Sequence, residues 1–134
     1  MSSDVEKSYC PRDLSQCRVY IAGGYDGKDT QETQHNRRLG IRTAATVLLA
    51  GLTPITGFIH TEYSLVLRSG EFISQDMYRT MRLSLFSACH CVLVVNEHKE
   101  SEPPVEVLAA YQWGMPIFYD LGSLLEWAKG EGWK

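Results

Sequence analysis

Short apolar runs alternate along this chain with longer segments of helical character, and this alternation is the feature that most constrains the fold. The runs "VYIA" (19–22) and "CVLVV" (91–95) are continuous and rich in β-branched residues, as expected of strands buried on both faces. Buried strands of this kind are typically parallel, and right-handed helical crossovers join them. The pattern therefore predicts an α/β three-layer sandwich around a central parallel sheet of four to five strands.

Two amphipathic helices are predicted between these two runs. The first is expected to begin with Asn36 as its N-cap and to stop at Gly51. Its apolar face is predicted to contain Ile41, Ala44, Ala45, Leu48 and Leu52. The second is expected to begin at Ser74. Its apolar face is predicted to contain Met77, Met81, Leu85 and Ala88.

Weaker signals complete the predicted order of elements. "TPITG" (53–57) and "MPIFYD" (115–120) are short candidate strands, and "SLLEWAKG" (123–130) is a final helix. A helix from Pro103 to Trp113 follows the 91–95 run, because proline suits a first helical turn, where amides have no acceptor within the helix. The segment from Phe58 to Phe72 stays open, as a long loop with a strand-like centre from Ser64 to Leu67.

Length and composition indicate one domain without a nucleic-acid or membrane partner. Residues 1–17 are polar and aperiodic, which predicts a flexible leader before a single domain over residues 18–134. A net charge of −3 gives no basic field for a phosphate backbone. The chain shows neither a signal peptide nor an apolar run of about 18 residues, so a cytoplasmic protein is expected.

The cysteines favour core packing over metal binding. Cys89, His90 and Cys91 are adjacent, whereas structural zinc sites usually space their cysteines wider and use a second pair of ligands downstream. Without an export signal, the four cysteines of the chain are expected to be reduced thiols. We therefore expect no metal and no cofactor.

Polar residues cluster where the predicted strands end, which is where open parallel sheets bind ligands. Glu106 follows the 91–95 run in the first turn of the third helix, so it is either a nucleophile held in a crevice or an ordinary carboxylate favoured by the helix dipole. Tyr25 and Asp26 follow the first strand, where Asp-Gly is also a common turn pair. His98 lies in the loop before Glu106 and is otherwise a plain surface histidine.

Three stretches together resemble one family: "VYIAGGYDG", "AATVLLAGLTPITG" and "ACHCVLVVNEHKESEPPVEVLAAYQWGMPIF". They resemble the nucleoside 2-deoxyribosyltransferase-like superfamily, especially its small phage and bacterial members. The resemblance covers about Arg18 to Tyr119. It rests on "YIAG", on Gly51 after "LLA", and on Ser101 followed by Glu106 and "AAYQWGMPI".

The resemblance implies a flavodoxin-like or Rossmann-like domain that cleaves the N-glycosidic bond of a nucleoside or nucleoside 5′-monophosphate, as a hydrolase or a transferase, and forms a homo-oligomer. Glu106 matches the family's nucleophile, and Ser101 matches a serine at the 5′ end of the sugar. The strand and turn that line the floor under the nucleoside correspond to Tyr20, Gly23 and Gly24. Tyr25 and Asp26 would reach the same crevice.

The chain also departs from the family pattern. Glu102, Pro103 and Pro104 replace small residues; the prolines remove amides that would hold a 5′ group, and Glu102 would repel a phosphate. Arg82 and His90 stand where the family has acidic residues. The acid that protonates the leaving base is therefore unassigned, with Asp76 and His98 as candidates. A catalytically inactive module that binds a nucleotide derivative is the alternative function.

Overall fold

The computed structural model describes residues 14–23, 30–56, 63, 65–95 and 105–130 of the 134 residues. Strands and helices alternate in this part of the chain after a short 3-10 helix, Leu14–Gln16. The strands are β1 (Arg18–Gly23), β2 (Thr53–Thr56), β3 (Cys91–Val95) and β4 (Ile117–Phe118). The helices are α1 (Thr30–Leu49), α2 (Gln75–Ser87), α3 (Val105–Trp113) and α4 (Leu121–Lys129).

The four strands form one parallel sheet in the order β2-β1-β3-β4. The central strands carry the longest apolar runs, since β1 and β3 each have a strand on both sides and a helical layer on both faces. This confirms the predicted α/β fold with its central parallel sheet.

Alternate residues of the central strands point to two separate apolar layers. Val19 and Ile21 pack in one cluster with Val47 of α1 and Leu124 of α4. On the opposite face the second cluster contains Tyr20, Ala22, Phe86, Val92, Val107 and Ala110. Helices α1 and α4 therefore cover one face of the sheet and helices α2 and α3 cover the other, which makes the three layers.

The strand order creates a divergence between β1 and β3. The chain leaves β1 toward β2 on one side and leaves β3 toward β4 on the other, so the two connections separate at the carboxyl ends of the central strands. Gly23 and Val95 are register partners at this edge. Open α/β sheets bind ligands at such a point.

Helix α1 begins earlier than predicted, at Thr30 rather than after Asn36. Its first turns carry no apolar signal because most of their described side chains face solvent, and Asn36 is instead a buried interior position. The predicted apolar face is also wrong in part, since Ile41 is 55% exposed and Leu48 is 62% exposed. Val47 packs against the sheet in their place.

Helix α2 begins as predicted, because Ser74 is its N-cap and its hydroxyl accepts a hydrogen bond from the Met77 amide at 3.1 Å. The predicted apolar face is wrong. Met77 is 58% exposed and Leu85 is 37% exposed, whereas Phe86 is fully buried. The helix is thus rotated so that Phe86, and not the methionine stripe, packs against the sheet.

Two further expectations concern the predicted leader, residues 1–17, and the open segment from Phe58 to Phe72. Leu14 to Cys17 fall in the predicted leader, yet Leu14 packs against the core and Cys17 is fully buried there. In the open segment, the described residues 65–73 contain no strand, and Leu65 and Val66 are exposed.

None of the helices in the described part of the chain is long and apolar enough to cross a membrane.

Candidate active site

Glu106 is a buried carboxylate on the sheet-facing side of α3. It lies in the first turn of the helix and is 7% exposed, and it is the one charged residue among the described residues that is classed as buried. Its neighbour Val107 and, one turn on, Ala110 hold the helix against the sheet. A carboxylate that loses its water in such a place needs polar partners from other elements.

The first partner is Tyr20 of β1. Its hydroxyl donates a hydrogen bond to Glu106 Oε1 at 3.4 Å, which is long for a hydrogen bond between two oxygens. The phenol is fixed by packing, because its ring meets Phe86 edge-on with centroids 5.3 Å apart and planes at 87°. Tyr20 was predicted to line the floor under a nucleoside, and its described contact is with the candidate nucleophile.

The second partner is Arg82 of α2, whose Nε lies 3.9 Å from Glu106 Oε1. This separation permits Coulomb attraction but is too long for a hydrogen bond. Arg82 Nε is nevertheless buried and has no hydrogen-bond partner among the described residues. The Arg82 side chain as a whole is 33% exposed.

Both contacts end on the same carboxylate oxygen, Glu106 Oε1. Oε2 makes neither a hydrogen bond nor an ion pair with any residue that the structure describes. The carboxylate is therefore oriented through one oxygen while the other has no described partner. An oxygen in that state can form a bond to an electrophilic carbon.

Three aromatic rings form the apolar part of the candidate site around Glu106. Phe86 is fully buried, and its ring centroid lies 5.3 Å from that of Trp113 at the end of α3. The Trp113 side chain is 55% exposed, so it continues this aromatic surface outward to solvent. Tyr20, Phe86 and Trp113 thus form one line of rings, which leads from the central strand to the surface.

The structure places some predicted site residues near each other and leaves others undescribed. Glu106 and Tyr20 are in contact, and Gly23 lies at the carboxyl edge of the same strand as Tyr20. The remaining loop residues predicted for the site lie outside the described residues: Gly24, Tyr25, Asp26, His98 and Ser101, together with Glu102, Pro103 and Pro104.

Asp76, a candidate general acid, is exposed in the first turn of α2. Arg82 is six positions further along this helix, which turns the two side chains more than 100° apart. Among the described residues, Asp76 makes no hydrogen bond or ion pair with Glu106. The source of the proton for the leaving base stays a prediction.

The sequence singled out Glu106 and Tyr20 as candidates, gave Arg82 no role at the site and did not point to Phe86. The signal that would have found them is a helical row four residues apart, in which Tyr78, Arg82 and Phe86 share one side of α2. Phe86 is the large apolar member of this row, and it faces the sheet. The row brings the Arg82 guanidinium to the carboxylate of the neighbouring helix.

His90 has a structural position at the other end of the strands. Its Nδ1 accepts a hydrogen bond from the Arg18 amide at 3.0 Å, and its own amide donates to the Arg18 carbonyl at 2.8 Å. Burial, with a smaller effect of the Arg18 charge, lowers the pKa of His90. The neutral ring thus joins the start of β1 to the start of β3.

The buried thiols contribute to the two apolar clusters. Cys17 and Cys91 lie in the cluster under α1 and α4, and Cys89 lies in the cluster under α2 and α3. All three are free cysteines. In the described part of the chain, no group of three or more His, Cys, Asp or Glu residues is arranged to hold a metal ion.

Comparison with known proteins adds no family to this picture. No protein-family model matches the chain, and no curated protein matches it. The features of this chain that bear on function are its sequence motifs and the geometry around Glu106.

Proposed function

We propose that this protein cleaves the N-glycosidic bond of a nucleoside or nucleoside 5′-monophosphate, with Glu106 as the nucleophile. The observation that carries the proposal is the placement of Glu106: a carboxylate 7% exposed, bonded to Tyr20, in the helix that follows a central strand of a parallel sheet. Such a sheet binds ligands beyond the carboxyl ends of its strands. The motif from Ser101 to Ile117, which resembles the superfamily named above, supports the same reaction.

The chemistry is that of a retaining glycosidase. A Glu106 oxygen attacks C1′ of the sugar and forms an ester as the bond from C1′ to the base nitrogen breaks. The electron pair of that bond stays with the base, which takes a proton from a general acid, for which Asp76 and His98 are the candidates. Water, or the nitrogen of a second base, then attacks C1′, returns a proton to the general acid that was deprotonated in the first step, and releases Glu106 as a carboxylate.

Tyr20 and Arg82 have distinct parts in this scheme. The Tyr20 hydroxyl, held by the Phe86 ring, fixes the direction of the carboxylate through Oε1. The positive charge of Arg82, 3.9 Å from Oε1, attracts the negative charge that returns to Glu106 when the ester is cleaved in the second step. Both partners act on one oxygen, so Oε2 is the attacking atom.

A second candidate function is a binding module for a nucleotide derivative. The observation that favours it is the same Arg82 contact, since a cation at 3.9 Å also reduces the electron density that a nucleophile offers. The described residues contain no acid in contact with Glu106 that would protonate a leaving base. In this function the pair would recognise polar groups of a ligand without breaking a bond.

Release of free base distinguishes the two functions. A panel of ribo- and deoxyribonucleosides and their 5′-monophosphates is incubated with wild type and with Glu106→Gln, and free base is quantified by liquid chromatography. Glu126→Gln is the matched control, because Glu126 is an exposed carboxylate on α4. Base release by wild type and Glu126→Gln but not by Glu106→Gln supports the reaction. Ligand-induced thermal shifts without base release would favour the binding module.

The proposal includes a homo-oligomer in the cytoplasm. Support for the oligomer comes from large apolar side chains at the surface, since contiguous exposed apolar patches mark interaction sites. Ile41, Leu48 and Leu49 of α1 are 55%, 62% and 83% exposed. Free, unpaired cysteines in the core agree with a reducing compartment.

Light scattering on a size-exclusion column tests the oligomer directly. Wild type should elute as a multimer, and Leu48→Glu together with Leu49→Glu should shift it to a 15.1 kDa monomer. A monomeric wild type at all concentrations would refute this part of the proposal.

A further inference from the structure

We infer that residues 65–72, called the 65–72 turn below, dock on the exposed apolar face of α1 in a second copy of this chain, and that the two copies exchange this contact in a two-fold dimer. The inference rests on the homo-oligomer of the proposed function and names the surface that meets α1. It does not depend on the reaction at Glu106. It is carried by three large apolar side chains in the connection from β2 to α2.

These three side chains are among the most exposed apolar groups of the described residues. Leu65, Val66 and Phe72 are 77%, 76% and 81% exposed. Of the large apolar residues that the structure describes, Leu49 at the end of α1 alone exceeds them, at 83%. Exposed apolar groups that lie together mark interaction sites, whereas single ones are ordinary on a protein surface. The 65–72 turn is therefore a candidate contact surface.

The backbone of the 65–72 turn is fixed before any partner arrives. The Glu71 amide donates a hydrogen bond to the Arg68 carbonyl at 3.0 Å, and the Arg68 amide donates to Glu71 Oε1 at 2.6 Å. Gly70 between them has a φ of 88°, the left-handed value that the third position of a type II turn requires. A surface that is already ordered loses less conformational entropy when it docks.

The area needed for a stable dimer favours contact between this turn and α1. A typical interface buries about 800 Å² on each copy. With about 200 Å² for a fully exposed large side chain, Ile41, Leu48 and Leu49 of α1 offer on the order of 400 Å² at their observed exposure. The three residues of the turn offer a similar area. Helix α1 packed only on α1 of the second copy would fall short of a typical interface, whereas α1 and the turn together reach it.

The fold allows two copies to exchange these surfaces. Helix α1 packs against the edge strand β2, and the turn lies in the connection that leaves β2. The end of α1 lies beside the amino end of β2, since β2 begins directly after it. The turn belongs to the carboxyl end, where α2 begins. A two-fold axis that sets the copies antiparallel thus brings the turn of each copy to the end of α1 in the other, which closes the assembly.

Charge argues against a lipid surface as the partner of the turn. Segments that bind anionic membranes carry clusters of Lys and Arg. The 65–72 turn contains one basic residue, Arg68, beside the acidic Glu71, and the chain has a net charge of −3. An apolar face on a second copy is the better match for an apolar turn.

Size-exclusion chromatography with light scattering tests the contact from both sides, with Phe72→Glu and Leu49→Lys. Both side chains are more than four-fifths exposed, so neither variant disturbs the core. Each should elute as a 15.1 kDa monomer at concentrations where wild type is a dimer. Tyr111→Glu is the matched control, because Tyr111 is a 68% exposed aromatic residue on α3, which covers the other face of the sheet. This variant should stay a dimer.

Mixing the two monomeric variants tests whether the turn and α1 touch each other. In a mixed dimer one contact pairs the Phe72→Glu carboxylate with the Leu49→Lys ammonium, and the other keeps both original residues. An equimolar mixture should therefore recover a dimer of twice the monomer mass, although neither variant forms one alone. A mixture that stays monomeric would overturn the inference, since the turn and α1 would then contact different surfaces.

Further outcomes would separate the inference from the proposed function. Phe72→Glu may not remain a dimer if the inference holds; a dimeric Phe72→Glu beside a monomeric Leu48→Glu, Leu49→Glu variant would mean that α1 packs on α1, and the proposed oligomer would stand without the turn. A wild type that is monomeric at all concentrations would remove both. Sedimentation of wild type but not Phe72→Glu with phosphatidylcholine vesicles would assign the turn to lipid. The base-release assay decides the reaction at Glu106 independently of all these results.

Discussion

At the scale of the residue, Glu106 is a costly choice for its position. A carboxylate that is 7% exposed has lost most of its water, and its two described partners replace that water incompletely. The Tyr20 hydroxyl is 3.4 Å away and the Arg82 Nε is 3.9 Å away. A leucine would pack into this apolar cluster at lower cost, so the carboxylate is best explained by chemistry that needs it.

The Tyr20 hydroxyl can be removed with little change in packing. Tyr20→Phe should lower the free energy of unfolding by only about 1 kcal/mol, because one long hydrogen bond is lost while the edge-on contact with Phe86 remains. It should also lower kcat/KM for base release, since the carboxylate loses its orientation. Urea unfolding and a kinetic assay measure the two effects. A stability loss above about 3 kcal/mol would mean that the hydroxyl supports the core rather than the site.

His90 makes stability depend on pH. Its pKa in the folded protein is below the ordinary value of 6.5, so the unfolded chain takes up a proton first as the pH falls. The stabilisation is therefore complete above pH 6.5 and declines as the pH falls through the folded pKa. Urea unfolding of wild type between pH 8 and about pH 5 should show this decline.

A variant that accepts the same hydrogen bond without titrating isolates the effect. His90→Asn keeps an acceptor for the Arg18 amide and should flatten the pH dependence relative to wild type. His35→Asn is the control, because His35 is exposed on α1. An unchanged slope in His90→Asn would show that other groups cause the decline.

At the scale of the element, α2 carries a methionine-containing row and a second row that ends in Phe86, and it is Phe86 that is buried against the sheet. Phe86→Ala should destabilise the protein by about 3–5 kcal/mol, because a fully buried ring leaves a cavity that its neighbours cannot fill. Leu85→Ala is the matched control at the adjacent position, where the side chain is 37% exposed and a much smaller loss is expected. Equal losses measured by urea unfolding would contradict the observed rotation of the helix.

Helices and strands could be predicted from the sequence where neighbouring residues along the chain determine them. The central strands follow from continuous apolar runs, and the start of α2 follows from the Ser74 cap. The start of α1 could not be predicted, because its first turns are polar and exposed and therefore show no helical period of apolar residues. The choice between the Met77 and Phe86 rows of α2 depends on how the helix lies on the sheet, which no local pattern contains.

In the candidate site, too, the sequence predicts what depends on local order along the chain and not what depends on the packing of distant elements. Glu106 could be predicted because its position after a buried strand and in a first helical turn is readable along the chain. Its contacts with Tyr20 and Arg82 join residues 86 positions apart and residues of two helices, so they arise only from the packed arrangement of the elements. Arginine at an inward position of α2 contradicts simple polarity rules, and such exceptions tend to fall at functional sites.

At the scale of the whole molecule, three buried thiols report on cooperative unfolding. Burial raises the pKa of Cys89 to about 12. A hydrogen bond with Cys17 raises the pKa of Cys91, and burial adds to this effect. The same bond lowers the pKa of Cys17, which alone would make that thiol more reactive. Its full burial decides the outcome, since a reagent cannot reach a side chain that is 0% exposed.

Thiol labelling at pH 8 should therefore be slow and should follow global unfolding. Cys10, the fourth cysteine of the chain, is replaced by serine so that the three buried thiols alone are measured. In this Cys10→Ser variant the native protein should show almost no fast labelling, and urea should make Cys17, Cys89 and Cys91 reactive together in one transition. Phe86→Ala should accelerate all three reactions by the same factor, because both sheet faces share the strands β1 and β3. Faster labelling of Cys89 alone would show instead that the α2 and α3 layer opens independently of the other face, and would separate the candidate site from the rest of the core.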